Sequence, residues 1–229
     1  MMKTPAWKIS CCALAVAAST SLTAIAQSTQ PAMAPKQGAD VMQMVSSWPE
    51  ASRMATEAMI KKYGPPNEVT ATRLIWINNG PWKETIISKE EVDHQFPMAH
   101  KDVMEQIIDY KVSPDKFDDL AKYDGSVIVE RTKGTMSARC DKEEANFLAL
   151  NLAHDIARNN KTVAQAREYY ARAMKESMSG KMDPYMQKLQ FTAQTRTADA
   201  DQPAKMKTGD MGKSGSPSRT KDMGTTSGK

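Results

Sequence analysis

Gly125-Ser126-Val127-Ile128-Val129-Glu130-Arg131-Thr132-Lys133-Gly134-Thr135-Met136-Ser137-Ala138-Arg139-Cys140 is the stretch on which the fold turns. Gly125-Ser126 opens a β-branched run, Lys133-Gly134 makes a tight turn, and Thr135 to Cys140 returns with Met136, Ala138 and Cys140 on one face. A hairpin with one apolar face needs a cover. Downstream, Asp141 with Glu144 forms a capping pattern before Ala145, Leu148, Leu152 and Ile156, and Thr162 with Gln165 precedes Val163, Ala166, Tyr170 and Met174. These spacings predict two long helices on the hairpin.

Upstream, Ser113-Pro114 starts a short helix carrying Phe117, Leu120 and Ala121, and Lys101 to Tyr110 places Val103, Met104, Ile107 and Ile108 on one helical stripe. Before these, Glu68 to Asn78 and Trp82 to Ser88 read as a hairpin around Asn78-Asn79-Gly80-Pro81. Ser47, Pro49 and Glu50 start a helix, in which Met54, Ala55, Ala58, Met59 and Tyr63 recur until Gly64-Pro65-Pro66 stops it. The order α, ββ, αα, ββ, αα predicts an α+β fold, an antiparallel sheet of two hairpins with helices packed on it.

The ends differ from this body. Lys3 and Lys8 precede an uncharged apolar run to Ala26 that ends in Ala24-Ile25-Ala26, the three regions of a secretory signal peptide with cleavage before Gln27. Residues 27–45 read as a flexible linker, 46–193 as one α+β domain, and 194–229 as a disordered basic tail rich in Gly, Ser, Thr, Lys and Asp. Of the formal charge of +4, the signal supplies two positive charges and the tail three, so residues 27–193 carry −1. A near-neutral body argues against nucleic-acid binding, which needs a clustered basic face. The expected contacts are a protein or small molecule in the envelope, with weak, salt-sensitive attraction of the tail to anionic surfaces and no transmembrane segment after cleavage.

Asp93-His94-Gln95-Phe96-Pro97-Met98-Ala99-His100-Lys101-Asp102 holds two of the chain's three histidines. Asp93, His94 and His100 are the candidate metal ligands, because imidazole and carboxylate together suit zinc or another divalent ion. The competing reading is a loop in which both imidazoles bond the backbone and Asp102 opens the next helix. With Cys11 and Cys12 in the signal, Cys140 is the single thiol of the mature chain. Beside Arg139 and a helix start it is a candidate reactive thiol; its alternation with Met136 and Ala138 predicts burial instead. His154, 14 residues along the helix, is about 21 Å away and cannot serve it as a base.

Asn146, Asn151, His154 and Asp155 either line a polar pocket or form a solvated edge. Trp76 and Trp82 suit a sugar or peptide platform or core packing. The methionines suit a soft metal such as copper or adaptable core filling. No glycine-rich phosphate loop, G-x-S-x-G elbow or H-E-x-x-H helix is present.

The segments Tyr63-Gly64-Pro65-Pro66, Asn79-Gly80-Pro81-Trp82-Lys83, His94-Gln95-Phe96-Pro97, Asp124-Gly125-Ser126 and Ser137-Ala138-Arg139-Cys140-Asp141 through Leu148-Ala149-Leu150-Asn151-Leu152-Ala153 resemble a group of uncharacterised exported bacterial proteins. The resemblance spans about Trp48 to Tyr170. It implies a shared fold and an envelope location, and transfers no catalytic residue. The helix, Gly-Pro-Pro and Trp-bearing hairpin are also similar in architecture to small periplasmic scaffold domains of outer-membrane assembly lipoproteins, whose lipidated cysteine this chain lacks. The expected function is an exported, non-catalytic binding or structural module; the alternative is a metal-dependent or thiol enzyme using His94, His100 and Cys140.

Overall fold

Six antiparallel strands form one sheet in the computed structural model, which describes residues 38–192 and 194–204. The strands are β1 (Glu68–Val69), β2 (Arg73–Asn79), β3 (Trp82–His94), β4 (His100–Asp109), β5 (Ile128–Glu130) and β6 (Thr135–Cys140). They lie in the order β1-β2-β3-β4-β6-β5. The hairpin of β5 and β6 forms as expected, with Met136, Ala138 and Cys140 all buried, and β6 docks on β4. The fold is α+β. The signal-like segment, its cleavage site and residues 205–229 lie outside the described residues.

One element overturns its expectation. Residues 101–110 form the central strand β4, not a helix, and β3 runs on past Ser88 to His94 to pair with it. The residues alternate: Asp102, Met104, Gln106 and Ile108 point to the helix-covered face, and Lys101, Glu105, Ile107 and Asp109 to the other. Two of the inward positions are polar, so the apolar residues fall at a false helical spacing. Pairing on both edges, with β3 and β6, then decides the conformation.

The helices α1 (Gly38–Met44), α2 (Glu50–Tyr63), α3 (Phe117–Tyr123), α4 (Glu143–Ala157) and α5 (Val163–Met178) complete the fold. One core cluster gathers Val45, Trp48, Met59, Leu74, Trp76 and Met104 beneath α2. A second gathers residues of β4, β6, α3, α4 and α5, with Leu148, Leu150 and Leu152 of α4 at 0 % exposure. Each such leucine contributes about 1.5–3 kcal/mol by leaving water. Thr162 and Gln165 form the expected capping box on α5. The caps expected from Ser47 and Asp141 do not form: Pro49 and Lys142 occupy those positions, without side-chain caps.

Both domain edges shift outward. Val41 and Val45, assigned to a flexible linker, are fully buried on α1 and the adjoining turn. Beyond residue 193, Gln194 Oε1 accepts the Lys111 N–H at 3.0 Å, the Asp199 N–H donates to Arg131 O at 3.2 Å, and Arg131 pairs with Asp199 and Asp201. Thr197 sits against Gly134, where a Cβ would lie 2.1 Å from its carbonyl carbon, so only glycine fits. Disorder therefore does not begin at residue 194. Asn151, a candidate pocket or edge residue, is instead a buried staple: its amide donates to Tyr185 O at 2.9 Å and Lys188 O at 2.8 Å and accepts from Gln190 N at 2.7 Å. Asn146 and Asp155 are buried too. Among the described residues, no helix is long and apolar enough to cross a membrane.

Candidate metal centre

The hairpin of β3 and β4 pairs His94 directly with His100, and Asp102 follows His100 by two residues on the same strand face. The two imidazoles lie 4.7 Å apart, centre to centre. Both converge on one oxygen: Asp102 Oδ1 stands 3.2 Å from His100 Nε2 and 3.4 Å from His94 Nδ1. Ligand atoms of the three residues all lie within 4.8 Å of one another. Donors held about 2.0–2.2 Å from a tetrahedral Zn2+ stand about 3.3 Å apart, so the two distances to Asp102 Oδ1 match the edges of such a site.

The far nitrogen of each ring faces a further oxygen, as a hydrogen bond in His100 and as a longer approach in His94. His100 Nδ1 donates to Met98 O at 2.9 Å. His94 Nε2 lies 3.5 Å from Asp124 Oδ1, at the end of α3, an oxygen already fixed by the N–H and hydroxyl of Ser126 at 2.8 Å each. An imidazole whose outer N–H is tied to a carbonyl or carboxylate presents its other nitrogen, correctly oriented, to a metal. In the absence of metal the cluster draws a proton instead. The Asp102 carboxylate, seconded by the Cys140 thiol and against the effect of burial, pushes the His100 pKa up to about 11. A group that holds its proton so far above the ordinary value sits where positive charge is favoured.

Asp93 is not part of this cluster. It alternates with His94, turns to solvent and pairs with Lys101 at 2.5 Å. The carboxylate of the site is Asp102, which lies on a strand and not in the first turn of a helix. Cys140 is buried at 4 % exposure, and burial pushes its thiol pKa up despite the neighbouring His100. A buried, protonated thiol is a poor nucleophile. His154 stands apart, bonded to the Tyr110 hydroxyl at 2.8 Å.

Helix α5 clamps the turn between the two histidines. The Phe96 ring lies 5.2 Å from that of Tyr170 and 3.8 Å beneath the Arg167 guanidinium, which donates to Tyr123 O at 2.5 Å. Trp76 and Trp82 are core residues and form no exposed platform: both are 1 % exposed, and Trp82 stacks on Phe147 at 4.7 Å. Separately, a groove of about 720 Å3 runs between α2 and the start of α4, floored by Met59 and Met104 and rimmed by charged residues.

Asp102 and Asp124 were not candidates in the sequence. Asp102 was hidden by the helical reading of its segment, and Asp124 is brought to His94 only by the tertiary fold. The comparisons add no relative: no protein-family model, no curated protein and no solved structure matches the chain.

Proposed function

We propose that the chain is an exported, non-catalytic binding module whose ligand is a divalent transition metal of the zinc class, held by His94, His100 and Asp102. The convergence of three donors within 4.8 Å carries this reading, with the His100 ring oriented by the Met98 carbonyl and the His94 ring facing Asp124. Two imidazoles and one carboxylate suit zinc better than calcium or magnesium, which take oxygen donors. Export rests on Lys3, Lys8 and the apolar run to Ala26. Of the alternative, a metal-dependent or thiol enzyme, the thiol version asks for an accessible, activated thiol, and Cys140 is buried with its pKa pushed up by burial.

Elemental analysis of protein purified without chelator tests the site. One zinc-class ion per chain is expected, lost in His94→Ala and Asp102→Asn and retained in Asp93→Asn. Metal-free wild type that also fails to take up added zinc overturns the reading. A mature N-terminus at Gln27 is the matching outcome for export, read by intact mass; exported protein retaining Met1 contradicts cleavage.

A further inference from the structure

We propose that Cys140 is the fourth donor of this centre, making it a two-histidine, one-aspartate, one-cysteine site that takes a thiophilic divalent ion. The inference rests on the metal-binding reading above and specifies the chemistry of the same site.

A closed zinc site is four-coordinate, and His94, His100 and Asp102 supply three donors. The neighbouring groups eliminate one another. Asp124 Oδ1 already accepts two bonds from Ser126 and faces the outer nitrogen of His94. The Met98 carbonyl is occupied by His100, and the Tyr170 hydroxyl is turned towards Ala145 O at 3.5 Å. Cys140 is left. On β6 it pairs with Met104, which shares a strand face with His100 and Asp102, so the sheet itself delivers the sulfur to the face that carries the other donors.

The thiol neighbours the His100 ring closely enough for each to influence the other's protonation. Its acceptor is Asp141 Oδ1 at 3.5 Å, a weak partner for a weak donor. Sγ stands outside the set of ligand atoms that lie within 4.8 Å of one another, so coordination requires the sulfur to move towards them. As the metal–sulfur bond forms, the thiol proton leaves to solvent, because the thiolate is the ligand. Charge favours the result: two neutral imidazoles, one carboxylate and one thiolate around a divalent ion sum to zero, the least costly state for a buried cluster. Thiolate ligation also sets the selectivity, favouring zinc and cobalt over magnesium and calcium.

Cobalt substitution tests the assignment on the full chain carrying Cys11→Ser and Cys12→Ser, so that Cys140 is the sole thiol. Metal-stripped protein titrated with Co2+ is expected to show visible bands of tetrahedral intensity together with an ultraviolet thiolate-to-cobalt charge-transfer band. In Cys140→Ser the ultraviolet band disappears while the visible bands persist in altered form. Zinc affinity in that variant falls by at least the roughly 10–100-fold that loss of an outer-shell partner costs. Cobalt bound without the charge-transfer band in the parent chain overturns the cysteine assignment and leaves the three-donor site standing. No cobalt or zinc binding at all overturns both. Circular dichroism of the serine variant, unchanged from the parent, separates loss of the ligand from loss of the fold.

Discussion

Two buried carboxylates lie between the sheet and its helices, Glu143 on α4 and Asp102 on β4, and their surroundings differ in kind. Glu143, 8 % exposed at the start of α4, receives the Trp82 indole N–H at 2.6 Å, the Tyr63 hydroxyl at 2.7 Å, the Gln106 amide at 3.4 Å and the Lys62 ammonium. All are donors to a carboxylate. Asp102, 5 % exposed, is met by two imidazoles at 3.2 and 3.4 Å, each with its other nitrogen facing a further oxygen. Two imidazoles meeting one carboxylate oxygen leave a place for a cation between them, which a proton on His100 or a metal ion can fill. Saturation by fixed donors marks a structural carboxylate; two imidazoles converging on one carboxylate oxygen mark a candidate ligand.

The largest effect should come from breaking the saturated side. Glu143→Ala strands the buried Trp82 indole and Tyr63 hydroxyl, and removing one member of such a buried network costs about 3–5 kcal/mol. The exposed Lys62 adds little to that figure. Urea denaturation of chelated protein reads the loss. A change below about 1 kcal/mol, within the range of an ordinary surface substitution, breaks the distinction between the two carboxylates.

The converging side should respond to metal. Zinc at 100 times its dissociation constant stabilises a single-site protein by about 2.7 kcal/mol. That gain should appear in the wild type and in Asp93→Asn, and vanish in Asp102→Asn and His94→Ala. Glu143→Gln, which keeps the volume and an acceptor oxygen, should retain it. A zinc response lost equally in Glu143→Gln and Asp102→Asn collapses the comparison, because both carboxylates would then serve the same ligand.

The element that hid the site is also the one whose fold was misread, and the two facts have one cause. In α5 the apolar period agrees with the final structure, whereas α2 buries Ser52 and Thr56 beside Ala55 and Met59 and leaves Met54 and Ala58 of its expected stripe exposed. In β4, Asp102 and Gln106 occupy inward positions where a strand ordinarily carries Val or Ile. The period-two signal is thereby erased, and Val103, Met104, Ile107 and Ile108 imitate a helix. Sequences depart from consistent patterning where buried polar work is done. His94 and His100 were legible as a pair because both ligand types are rare and close in sequence. The choice of Asp102 over Asp93 follows from strand alternation, which a loop reading cannot supply. Asp124 and Cys140 arrive from α3 and β6 through tertiary contacts that no local pattern encodes.

His154 sharpens the contrast between histidines and should show the smallest effect. Its ring stacks on Phe191 at 4.3 Å and takes the Tyr110 hydroxyl at Nδ1. Burial pushes its pKa down, with Asp155 opposing and Arg158 reinforcing. Burial raises the Tyr110 pKa, so that hydroxyl stays a donor and suits the neutral ring. A histidine with a depressed folded pKa contributes stability above its unfolded pKa of about 6.5, and loses that contribution as pH falls through the folded value. Wild-type protein in chelator should therefore weaken as pH falls below about 6.5 more steeply than His154→Gln, whose side chain offers an acceptor that does not titrate. The difference between the two slopes isolates His154, because His94 and His100 are present in both proteins. Equal slopes would show that the ring accepts a proton in the fold as readily as in the unfolded chain, and the lowering of the His154 pKa by burial would be refuted.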